Sequence, residues 1–278
     1  SRLAAGGTDP GSEVERELVR RWRVALGDEA IARDLAEDVG ARAAARGIPV
    51  LALKAADLAR RVYGPGERVG NDVDLLVPPD RLDEAASLLE EIGLVPDHPA
   101  PDRARAHWFS TTFRSRERAR VQVDLHWRLG PPGRTRWVLP DVLGRAEAVP
   151  GSSLRRLAAD DLVVYLALHA VAFHGAAGRW LWWLDLKLLW DGGAPVAPGA
   201  AAPCGGQVAV ATARLRVAEL FGGPTGGVPV RARTAAALGR LAEDRGSDRA
   251  WRWPVAALAV DRPLALLGVA ARVIARGG

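Results

Sequence analysis

The sequence predicts an α+β protein: a small mixed sheet flanked by helices, followed by a helical domain. Three observations predict it. Between residues 48 and 127 the apolar pattern alternates strand, helix, strand, helix, strand, strand, which describes a sheet of four or five strands. Beyond residue 150 the strand patterns fade and helical periodicity takes over. The chain has 278 residues, 49 % of them apolar and 26 % charged, enough to bury such a core without disulfide staples.

The elements follow in order. Residues 1–12, rich in Gly, Ser, Asp and Pro, are expected to be a disordered tail. From Glu13 to Arg46, Leu18, Trp22, Val24 and Leu26, then Ile31, Leu35, Val39 and Ala43, fall near helical spacing. Gly27-Asp28 is expected to divide this stretch into two helices, and Gly47 to close the second. Residues 48–53 read as a short buried strand, Ala55 to Tyr63 as a helix, and Gly64-Pro65-Gly66 as a turn. Val73 to Val77 reads as a second strand, ended by Pro78-Pro79, after which Asp80 is placed to cap a helix from Arg81 to Ile92. Trp108 to Phe113 and Arg120 to Trp127 read as two more strands joined by a polar turn, Arg114 to Arg118.

Gly130 to Pro150 reads as a connector. Residues 13–150 are therefore expected to form an α/β domain with N-terminal helices, and 151–278 a helical domain. Helices are expected at Leu157–Phe173, Trp180–Trp190, Gln207–Phe221, Arg231–Glu243 and Leu264–Ala275, with a long loop over 192–206.

Composition excludes several classes. Cys204 is the single cysteine, so neither an internal disulfide nor a cysteine zinc site is available. The longest apolar candidate, Leu162 to Phe173, is interrupted by His169 and too short to span a bilayer. The N-terminal residues have no apolar signal-peptide core, and the expectation is a cytoplasmic protein without a membrane partner. Net charge is +5, and lysine occurs only at Lys54 and Lys187, so arginine carries nearly all of the basic charge. Abundant Arg, Ala, Gly and Pro fit a GC-rich coding bias. The other reading of the charge is an anionic partner such as nucleotide or nucleic acid.

The chemistry concentrates at Gly70-Asn71-Asp72-Val73-Asp74-Leu75-Leu76-Val77. Alternation on a strand points Asp72 and Asp74 to one face and Val73 and Leu75 to the other. Two adjacent ionised carboxylates repel unless a cation sits between them, and hard divalent ions suit oxygen ligands. A second strand, residues 121–127, puts Gln122, Asp124 and His126 on one face. If the two strands are neighbours, Asp124 completes a three-carboxylate cluster able to hold two ions roughly 3.5–4 Å apart, a spacing used for in-line displacement at phosphorus. Lys54, between the first strand and the next helix, is placed to meet phosphate beside free helix N-terminal amides, and Arg68 can contact the same anion. The bland alternatives are a capping Asp72, a solvated Lys54, an Asp124 paired with arginine and a backbone-bonded His126.

Leu53-Lys54-Ala55, Arg68, Asp72-Val73-Asp74-Leu75-Leu76-Val77 and Val123-Asp124-Leu125-His126-Trp127 together resemble the uncharacterised nucleotidyltransferase family of the polymerase-β-like superfamily. His169, His174 and Trp182-Trp183-Leu184-Asp185-Leu186 resemble that family's helical half; the likeness covers about residues 46–191. The resemblance implies a polymerase-β-like core that transfers a nucleoside monophosphate from a triphosphate such as ATP to a hydroxyl. It implies Asp72, Asp74 and Asp124 as catalytic metal ligands for two Mg²⁺ ions, with Mn²⁺ as the alternative metal, and Lys54 and Arg68 as nucleotide-binding cations. Relatives carry a Gly-Ser pair where this chain has Lys54-Ala55, and the family's expected glycine after the lysine is an alanine. His126, His169 and Asp185 are accessory candidates. His169 and His174, five apart, do not share the face of an α-helix, which argues against a metal pair there, and the Trp cluster at 180–183 and 190 is expected to pack helices. The acceptor stays open among small molecule, peptide and RNA. The competing functions are a metal-dependent phosphodiesterase and a non-catalytic nucleotide- or RNA-binding module.

Overall fold

Helix α1 (Glu13–Ala45) starts at a capping box: Ser12 accepts from the Glu15 amide while the Glu15 carboxylate accepts from the Ser12 amide. In this computed structural model, residues 12–68, 70, 72–97, 108–115, 121–177, 179–193, 200–224, 226–244, 254–255 and 257–260 are described. The expected tail lies outside them except for Ser12, and so does the expected helix 264–275.

The break expected at Gly27-Asp28 does not occur; α1 runs through it as one 33-residue helix. A mid-helix glycine costs only about 1 kcal/mol against alanine and breaks nothing by itself. The buried stripe of α1 is Ala32, Ala36, Val39, Gly40 and Ala43 rather than its larger apolar residues, and Ile31 is exposed. Small side chains there let the helix lie close to the sheet. Arg46 then caps the helix, and Gly47 follows at φ 65°, as expected of a residue that closes a helix.

Among the described residues, seven strands form one mixed sheet: β1 (Leu51–Ala52), β2 (Asp72–Leu76), β3 (Leu94–Pro96), β4 (Ser110–Ser115), β5 (Gln122–His126), β6 (Glu147–Ala148) and β7 (Arg155–Arg156). Their order is β3-β4-β5-β2-β1-β7-β6. The central pair, β2 and β5, is parallel, as is β1 with β7, and the other pairs are antiparallel. β3, β6 and β7 are two or three residues long and escape pattern reading. Gly130–Pro150 is not a bare connector, because it contains helix α4 (Leu139–Arg145) and β6.

Helix α2 (Lys54–Arg61) follows β1 directly. Asp80 does not cap the next helix; it lies in a 3-10 turn, Pro79–Arg81, which feeds α3 (Leu82–Glu91). Prolines 78 and 79 tighten that entry. Val73, Leu75, Val123 and Leu125 are buried against Ala36, Val39 and Ala43 of α1 and Leu82, Ala85 and Leu88 of α3. Each such burial contributes about 1.5–3 kcal/mol for the larger side chains. One sheet face is thereby committed to the core, and alternation commits Asp72, Asp74, Gln122 and Asp124 to the other.

The described residues group into two units. The first takes those within 1–100, 110–127 and 146–156; the second takes those within 101–109, 128–145 and 157–278. The second unit carries α4, α5 (Ala159–Leu168), α6 (Trp180–Asp191), α7 (Gln207–Phe221) and α8 (Val230–Asp244). A bidentate Arg145–Asp161 pair ties α4 to α5. Trp183 is buried in this unit, with the Arg216 guanidinium 5.8 Å from its ring, whereas Trp180 is exposed. Directly after α5, residues His169–Phe173 form a π-helical turn. That turn overturns the argument from α-helical spacing: the rings of His169 and His174 lie 4.5 Å apart, centre to centre.

Candidate active site

Register decides the site. In the parallel β2–β5 pair, Asp72 stands opposite Gln122, Asp74 opposite Asp124 and Leu76 opposite His126. In the antiparallel β4–β5 pair, Thr112 stands opposite Asp124. Side chains directly opposite on neighbouring strands share a face. A polar row therefore crosses three strands as Thr112, Asp124 and Asp74.

The row is tightly bonded. Thr112 Oγ1 donates to Asp124 Oδ1 at 2.6 Å. Lys54 Nζ donates to Asp74 Oδ1 at 2.6 Å, and His126 Nε2 lies 3.0 Å from the same oxygen. Asp74 Oδ2 is buried and has no hydrogen-bond partner among the described residues. A buried carboxylate oxygen left unbonded is costly and marks a place for a cation. Asp74, Asp124 and His126 each offer one ligand atom within 4.8 Å of the others, so the group can hold a metal ion. Two carboxylates and one imidazole fit a divalent cation. Asp72 shares the face of Asp74 one step along β2 but is not one of these three.

The electrostatics of the two β2 acids differ. Burial pushes the Asp74 carboxyl up, but the Lys54 charge, with the hydrogen bond and charge of His126, outweighs it and holds the group well below the usual carboxylate range. Asp72 moves the other way. Burial and then the neighbouring charge of Asp74 raise it, with Asp124 adding to the rise and Lys54 opposing it. An acid so placed gains from any cation that enters.

Lys54 reaches Asp74 from a left-handed backbone, φ 43°, unusual for a residue with a side chain. Strain of that kind, about 1–3 kcal/mol, persists where surrounding contacts fix it. Here the Asp74 bond does so. The Ala55 methyl meets the space left by Gly70: a Cβ on Gly70 would stand 3.1 Å from Ala55 Cβ, 3.5 Å from Asp72 Oδ1 and 3.8 Å from Arg68 Nη1. Gly70 thus makes room for the Ala55 methyl. Ala55, Arg68, Gly70 and Asp72 line a cavity of about 240 Å³ walled by Ala32, Ala36 and Ala59. Arg68, buried, lines this cavity from the strand-entry loop, together with Arg33 and Arg60 from the helices.

The family described as uncharacterised nucleotidyltransferase matches residues 2–197. The chain belongs to that family. The solution structure of the antibiotic-resistance factor ANT(2'')-Ia is similar at 16 % identity, covering 69 % of this chain and 96 % of that one, with a TM-score of 0.45. The crystal structure of ANT(2'')-Ia in complex with adenylyl-2''-tobramycin is similar at 15 % identity, covering 64 % and 94 %, with a TM-score of 0.42. An antigenic nucleotidyltransferase-like protein from Paracoccidioides brasiliensis is similar at 14 % identity, covering 68 % and 88 %, with a TM-score of 0.44. No curated protein matches.

In this nucleotidyltransferase-family chain, Lys54, Arg68, Asp72, Asp74, Asp124 and His126 all lie in the first unit. His169 and Asp185 lie in the second, Asp185 being buried on α6. Thr112 escaped sequence reading, because only the β4–β5 register reveals that it faces Asp124.

Proposed function

We propose that the chain is a divalent-metal-dependent nucleotidyltransferase. It moves a nucleoside monophosphate from a nucleoside triphosphate to an acceptor hydroxyl. The observation that carries this reading is the register of Asp74 with Asp124 on parallel strands, with Lys54 bonded to Asp74.

Asp74 and Asp124 hold the metal in this account, and Asp72 adds a third carboxylate for a second ion. Mg²⁺ is the expected ion, with Mn²⁺ able to replace it. When bound, the metal neutralises charge on the reacting phosphate and makes the acceptor hydroxyl more acidic. The acceptor oxygen attacks the α-phosphorus in line, the bond from that phosphorus to the bridging oxygen breaks, and pyrophosphate leaves. Asp124 takes the hydroxyl proton, and Thr112 fixes its carboxylate. Lys54 and Arg68 neutralise the β- and γ-phosphates, and the cavity beside Gly70 receives that tail. His126 orients Asp74 through its hydrogen bond and is not required as a ligand.

The test is incubation with triphosphate labelled at the α-phosphate, Mg²⁺ and host lysate, followed by identification of the labelled species. One labelled acceptor with an equal yield of pyrophosphate is the expected result. A labelled RNA, peptide or small molecule would each name the acceptor class. Cleavage of phosphodiesters without any triphosphate would point instead to a phosphodiesterase. Tight triphosphate binding with no acceptor labelled would mark a binding module.

A further inference from the structure

The π-helical turn His169–Phe173 has no part in the chemistry above, yet three features hold it in place. A single π turn in an otherwise α-helical run leaves a carbonyl to be satisfied, and such turns concentrate at functional sites. Here Arg134 Nη1 donates to the Ala172 carbonyl at 2.9 Å. The helix then ends at His174 in a paired motif, the Gly175 amide bonding to the Val171 carbonyl and the Ala176 amide to the Ala170 carbonyl, both at 3.0 Å. Ala176 is buried at φ 56°, and Gly239 of α8 approaches it so closely that an added Cβ would stand 2.8 Å from its methyl.

What this backbone secures is a pair of imidazoles. In an α-helix, residues five apart point about 140° away from each other. The π turn brings them together instead, and the His169 and His174 rings meet edge to face, 4.5 Å centre to centre with 60° between their planes. Trp182 closes one side, 4.9 Å from His169 and 4.6 Å from His174. The rings touch, so no ligand the size of an ammonium fits among them. Two imidazole nitrogens, each about 2.0–2.1 Å from a shared ion, put their ring centres about 4.5–5 Å apart, so an ion at the pair's edge fits the spacing.

We propose that His169 and His174 form a second metal site, a two-imidazole chelate for a d-block divalent ion. Neutral nitrogen donors select Zn²⁺, Ni²⁺ or Cu²⁺ over Mg²⁺, in contrast to the acidic site on the sheet. Water completes the coordination, and the indole of Trp182 supplies an apolar wall that holds the rings in orientation. Asp185, three residues after Trp182, shares its face of α6 and is buried.

Cu²⁺ is the probe, because its electron paramagnetic resonance spectrum counts coordinated nitrogens. The full chain should show a species with two imidazole nitrogens, whereas the Asp74–Asp124–His126 group supplies only one. In a His126→Gln background the two-nitrogen signal should persist. Adding His169→Gln or His174→Gln should abolish it and weaken Ni²⁺ binding by calorimetry at least tenfold. A full chain showing only one-nitrogen species overturns the proposal whatever the variants do, and so does a two-nitrogen signal that survives both substitutions. None of these outcomes depends on nucleotidyl transfer, so this site and the acidic site stand or fall separately.

Discussion

Asp74 is the residue on which the site turns. It is buried, ionised and held by two donors through one oxygen while the other oxygen is left without a bond. Lys54 is its main counter-charge. Lys54→Met should leave a buried uncompensated carboxylate and cost about 3–5 kcal/mol of stability in urea unfolding, because both partners are largely buried. Saturating Mg²⁺ should recover part of that loss. A variant that loses stability with no Mg²⁺ recovery would show that no cation reaches Asp74. The pH dependence follows from the opposite shifts of the two acids. Asp74, lowered, contributes in full above the ordinary aspartate value of about 3.9 and loses that contribution as the pH falls further toward its own value. Asp72, raised, is strained when ionised, so a divalent ion relieves that strain only above its own value. The rise in Tm caused by Mn²⁺ should therefore be full at neutral pH and fade at a pH above about 3.9 as Asp72 takes its proton. A Tm rise that stays constant below that point would remove Asp72 from the site.

At the scale of elements, the sequence was most readable where one face of an element is fully committed to the core. The alternation around Asp72–Asp74 and Gln122–His126 was legible because Val73, Leu75, Val123 and Leu125 are all buried on the other side. What linked those strands was not legible, since partner and register depend on contacts distant in sequence. Thr112 was missed for that reason, and the short strands β3, β6 and β7 because two or three residues carry no period. The π turn escaped because residues 157–173 read as one helix, and only a shift in hydrogen bonding brings the two histidines together. The reading of Gly27 as a break weighed a local propensity above the continuity of α1. At that position an added Cβ meets nothing within 4 Å. Gly27→Ala should thus stabilise the protein by about 0.8–1 kcal/mol, read from the urea midpoint at constant slope. A loss of stability would show that the helix needs flexibility there.

For the whole molecule, the two units divide the chemistry. The first holds Lys54, Arg68, Asp72, Asp74, Asp124 and His126, and the second holds the paired histidines. Among the described residues, no helix is long and apolar enough to cross a membrane. The chain's excess of arginine gives it a positive charge that favours the approach of anions, an effect that salt screens. It does not choose among acceptors. The account as a whole rests on one ion shared between Asp74 and Asp124. Its most direct test is Mg²⁺-dependent pyrophosphate release in lysate by the unaltered chain, Asp74→Asn and Asp124→Asn, each checked for folding. Loss of either ligand is predicted to slow release more than about a hundredfold. Release by either variant at the unaltered rate would contradict the account.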